Sequence, residues 1–72
     1  MASIIGKGVL KQYSQTLEIN GSVSVASIPE LMKLPENLHE NVIAVRDGKV
    51  LSLDEFVSDD DEIILFISVM GG

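Results

Sequence analysis

The run Glu62-Ile63-Ile64-Leu65-Phe66-Ile67-Ser68-Val69-Met70 contains no glycine or proline and is β-branched or aromatic over more than half its length. Such side chains lose rotamer freedom in a helix and pack well on a pleated surface, so the run reads as a strand. Alternation puts Ile63, Leu65, Ile67 and Val69 on one face and Ile64, Phe66 and Ser68 on the other. If the first set faces a covering helix, Ile64 and Phe66 stand outside. Gly71-Gly72 then ends the sequence, and two residues without side chains make a narrow tail that finishes in a carboxylate.

What surrounds this strand must be small. The chain has 72 residues, enough for one domain with a modest core and too few for a large buried pocket or a two-domain cleft. An enzyme of this size would be unusual. With no cysteine, a disulfide framework, a thiolate metal site and a cysteine nucleophile are all excluded, and the core holds by packing alone. Eleven Asp and Glu against five Lys and Arg give a net charge of −6, which repels phosphate backbones and anionic membranes and suits a partner with a basic docking face. The longest apolar run, Ile63 to Ile67, is too short to span a bilayer, and Met1-Ala2-Ser3-Ile4-Ile5-Gly6 lacks the character of a signal peptide. The default expectation is a cytoplasmic protein.

Turn and cap signals divide the rest into one unit, residues 1–72, with a tail at 70–72. Ile4 to Leu10 fits a first strand with Lys7 exposed, and Thr16-Leu17-Glu18-Ile19 alternates as a second before the Asn20-Gly21 turn. The two are expected to form a hairpin. Ser27-Ile28-Pro29-Glu30 has the form of a capping box, so a helix of about two turns should start there, with Ile28, Leu31 and Met32 as its apolar stripe and Pro35 beyond its end. Leu38 should tuck inward from a polar connection. Val42 to Arg46 and Lys49 to Leu51 flank Asp47-Gly48, a strong type I′ hairpin signal. Ser52 to Phe56 reads as a short helical turn anchored by Leu53 and Phe56, and Asp59-Asp60-Asp61 as a turn into the last strand. The order is β-β-α-β-β-turn-β.

This order, with Ile43-Ala44-Val45-Arg46-Asp47-Gly48-Lys49-Val50-Leu51, Asp59 to Phe66 and the Phe66-to-Gly72 spacing, resembles the ubiquitin-like β-grasp sulfur carriers, the ThiS/MoaD family of thiamin and molybdopterin synthesis. The resemblance covers the whole chain and departs at two places. Asp60 stands where the family usually has Gly, implying left-handed backbone tolerated by Asp, and the hairpin is one residue longer than in thiamin carriers. What the resemblance implies is an α+β fold, a mixed sheet of four or five strands on one short helix. It implies a protein cosubstrate rather than an enzyme, with no bound cofactor. Its Gly72 carboxylate would be adenylated with ATP by a separate E1-like adenylyltransferase of the ThiF/MoeB type, and then converted to a thiocarboxylate whose sulfur goes to an accepting synthase. Gly71 would thread the activating pocket. Ile64, Phe66 and Met70 would dock the partner, the free chain being a monomer that binds neither nucleic acid nor membrane. A ubiquitin-like modifier joined to lysines, or an interaction module whose Gly-Gly is incidental, is the alternative.

The other polar residues have blander readings. Asp59 to Glu62 lacks the alternating ligand spacing and distant Glu of a calcium loop and reads as a solvated acidic turn. Asp54 and Glu55, adjacent on a helical turn, should point apart, and His39 reads as an exposed loop residue with no partner for a relay.

Overall fold

The computed structural model describes residues 1–39 and 41–68. Among these residues seven strands are formed, β1 (Ala2–Gly6), β2 (Gln15–Leu17), β3 (Ser22–Ser24), β4 (Val42–Arg46), β5 (Lys49–Leu51), β6 (Phe56–Ser58) and β7 (Glu62–Ile67), with one α-helix, α1 (Ile28–Leu31). The main sheet has the order β2-β1-β7-β4-β5. β7 lies at its centre, parallel to β1 and antiparallel to β4, while β1–β2 and β4–β5 pair antiparallel. The fold is α+β, a mixed five-stranded sheet with one short helix. No helix among the described residues is long and apolar enough to cross a membrane.

One face of the sheet carries the core. Ala2 and Ile4 of β1, Ile63 and Leu65 of β7, Ala44 of β4 and Leu51 of β5 are buried there against Leu10, Ile19, Val25, Ile28, Met32, Leu34 and Val57. The alternation read in the last strand is therefore the one that forms as far as Ile67, where β7 ends short of the expected Met70; Val69 lies outside the described residues. Ile63 and Leu65 are inaccessible, and Ile67 is packed against the same cluster.

Several local expectations are corrected. β1 stops at Gly6 instead of running to Leu10, because residues Gly8–Tyr13 form a 3-10 turn that folds back across it. A Cβ on Gly6 would lie 1.9 Å from the Leu10 carbonyl oxygen, so only glycine admits this approach. The Ser14 hydroxyl accepts the Gly6 N–H at 2.9 Å and donates to the Lys11 carbonyl. The capping box is not made. Residues Val25–Ser27 already form a 3-10 turn, which puts Ser27 in helical backbone, and its hydroxyl pairs with that of Ser24. α1 is a single turn, ended by left-handed Lys33 (φ 58°). Leu31 is consequently exposed, and Leu34, whose N–H donates to the Pro29 carbonyl, fills the core in its place.

The Asp47-Gly48 hairpin forms as read, both residues at positive φ. The segment after it does not. Residues 52–55 make a turn in which the Ser52 N–H donates to the Glu55 carboxylate at 2.7 Å, and Phe56 opens β6, which pairs with β3 in a second, two-stranded sheet. Leu53 and Phe56 are exposed, not anchors; the buried residue is Val57. Asp60 keeps negative φ, since its turn closes through the Asp61 N–H on the Ser58 carbonyl.

Candidate functional site

The sheet face turned away from the core is apolar. Register places Ile5, Ile64, Val45 and Val50 in one row across β1, β7, β4 and β5, and Phe66 beside Ile43 in the next. None of these six packs against the core cluster. Val50 is 68% exposed, and the other five are half-buried, shielded by their neighbours on the same face. Ile64 and Phe66 thus sit in the middle of this face, as alternation predicts. Ile5, Ile43, Val45 and Val50 join them by strand order, and Ile43 and Val45 carry a sequence signal: they alternate with Val42, Ala44 and Arg46 and are apolar where a half-solvated strand should be polar.

The two ends of the face carry opposite charge. The Lys7 N–H donates to the Leu65 carbonyl at 2.9 Å, so Lys7 continues β1 alongside Phe66 in extended backbone. With Gly6 facing the core, the exposed Lys7 side chain falls on the outer face. At the opposite end Glu62 is exposed beside Ser3, just after the Asp59–Asp61 turn. β7 ends on the Lys7 side, where the Ser68 N–H donates to the carbonyl of left-handed Asn41 at 2.8 Å. Met70, Gly71 and Gly72, the remaining expected site residues, lie outside the described residues.

No family model matches the chain, and no curated protein matches its sequence. The site is therefore defined by its geometry.

Acidic groups elsewhere are tied into the fold. Asp61 accepts from Arg46 Nη1 at 2.9 Å and from the Ser58 N–H at 2.8 Å, and the Ser58 N–H followed by the Arg46 guanidinium holds its carboxyl below the usual carboxylate range. Asp59 accepts the Ile19 N–H at 2.9 Å and pairs with the Met1 ammonium at 3.1 Å; these lower its pKa in that order. Asp54 and Glu55 do not point apart but converge on the Ser52 hydroxyl, which donates at 2.8 and 3.3 Å. His39 is half-buried, its Nε2 2.8 Å from the Leu34 carbonyl, rather than an exposed loop residue. A cavity of about 390 Å³ beside the β4–β5 hairpin is lined by both basic and acidic side chains, of which Arg46 and Glu55 are already engaged within the fold.

Proposed function

We propose that this chain is a sulfur carrier of β-grasp type, a protein cosubstrate whose Gly72 carboxylate is adenylated by a separate ATP-dependent enzyme. In that step the carboxylate oxygen attacks the α-phosphorus of ATP, forming an acyl adenylate and releasing pyrophosphate. Sulfur from a hydrosulfide-equivalent donor then forms a C–S bond as the C–O bond to AMP breaks, leaving a thiocarboxylate for transfer to an accepting synthase.

One observation carries this reading: the apolar outer face is centred on Ile64 and Phe66 of the central strand, after whose end the last five residues follow. A five-residue segment reaches at most about 18 Å when extended, so a partner seated on this face has the Gly72 carboxylate within a short distance of its own surface. A partly exposed apolar patch beside a reactive group suits docking to an activating enzyme. The Asp47-Gly48 turn and the Asp59–Asp61 turn both lie at the Glu62 end of this face, joined by Arg46 on Asp61 at 2.9 Å.

Incubation with an active ThiF/MoeB-type adenylyltransferase, ATP and a sulfur donor should yield a chain with one oxygen of Gly72 replaced by sulfur, located by fragment mass spectra. A chain returned unmodified by an enzyme that thiolates its own carrier would overturn the proposal. A product amide-linked to a lysine would identify a protein modifier instead.

A further inference from the structure

We propose that the outer sheet face is self-complementary, and that two copies of this chain pair through it about a twofold axis lying between the sheets and across the strands near Ile64. The inference goes beyond the sulfur-carrier reading and stands without it.

The face has an apolar centre of six side chains, Lys7 at one end and Glu62 at the other. Turning a copy over about an axis across the strands lays β7 antiparallel on β7 and reverses the ends. Lys7 of each copy then lies over the Ser3–Glu62 end of the other, which gives two equivalent ion pairs from one operation. The two Asp59–Asp61 turns are carried to opposite ends, so the densest negative charge of each copy is kept from that of its mate. Register between the copies is set by charge, while the apolar rows supply the contact.

Size makes the pairing weak. Four strands about 4.8 Å apart, by about four residues of 3.3 Å rise, give a contact of roughly 250 Å² per copy, below the area of standard stable interfaces. The net charge of −6 on each copy also opposes association. The expected free monomer therefore describes dilute solution, and the dimer belongs to high concentration.

Sedimentation equilibrium from about 10 μM to about 2 mM brackets an interface of this strength. The weight-average mass should rise from 7.8 kDa toward twice that value. Lys7→Glu and Glu62→Lys should each weaken association at least fivefold, and the double variant should restore it, because the reversed charges face one another again. Circular dichroism of each variant checks that the fold is kept. In the parent chain, concentration-dependent amide shifts should map to Ile5, Val45, Ile64 and Phe66. A mass fixed at that of the monomer throughout would leave the face to a different protein and overturn the proposal. So would single variants without effect, a double variant no better than either single one, or shifts confined to another surface.

Discussion

At the scale of single residues, Asp61 and Gly6 hold positions that no other side chain fills. Asp61 joins the turn before β7 to β4 and β6 through Arg46 and Ser58. It is partly exposed, so Asp61→Ala should cost only about 1 to 2 kcal/mol for its charge-assisted bonds, measured by urea unfolding. The same carboxylate gives stability a pH dependence of definite sign. The folded-state values of Asp61 and Asp59 lie below the ordinary one, so on acidification the unfolded chain takes up protons first. Their contribution is complete above about pH 5 and is lost as pH falls through the depressed folded values. Urea midpoints should accordingly hold between pH 7 and 5.5 and decline below about pH 4, more gently in Asp61→Asn. Gly6→Ala must push Leu10 away, since the new Cβ meets its carbonyl oxygen; overpacking of this kind costs at least about 1 to 3 kcal/mol, readable as a drop in Tm.

At the scale of elements, β7 divides its side chains between two environments, and substitutions should follow that division. Leu65→Ala, inside, should cost about 2 to 5 kcal/mol, whereas Phe66→Ala, on the half-buried outer face, should cost clearly less and, under the proposed sulfur-carrier function, weaken binding to an activating enzyme by about 1 to 4 kcal/mol. Thermal melts and titration calorimetry on both variants separate the two effects. Under the same proposal, Gly71→Val and Gly72→Val should leave the circular dichroism spectrum unchanged and abolish adenylation-dependent pyrophosphate exchange, because a β-branched residue would not thread a narrow activating channel. Some elements were legible from sequence: β4, β5 and the type I′ hairpin between them follow from a β-branched run and Asp-Gly chemistry, and the facing of β7 follows from alternation. Other elements were decided by contacts that no periodicity or turn signal announces, two of them local and one distant. β1 is ended by the close passage of Leu10, Ser27 is diverted to Ser24, and Phe56 is drawn into a strand by pairing with Ser24 across 32 residues of chain. Ile64 and Phe66 were found because their strand was apolar on both faces, but the rest of the outer face emerged only once strand order set four elements side by side.

At the scale of the whole molecule, eleven acidic residues on so small a body leave an excess of like charge. Screening should relieve it: raising the salt from about 10 to 200 mM shortens the Debye length from about 30 Å to under 10 Å. A gain of roughly 0.5 kcal/mol would appear as a rise of about 2 to 4 °C in Tm, readable by calorimetry. The strand order has a consequence in time. Ser3 pairs with Glu62 and Ile4 with Ile63, so the middle of the sheet is assembled from the two extremes of the described chain. During synthesis the β1–β2 and β4–β5 hairpins are complete long before β7 exists, and each then presents a bare edge where β7 will later sit. A released chain truncated at Asp61 should therefore be digested readily by protease, whereas one extended through Ile67 should be protected.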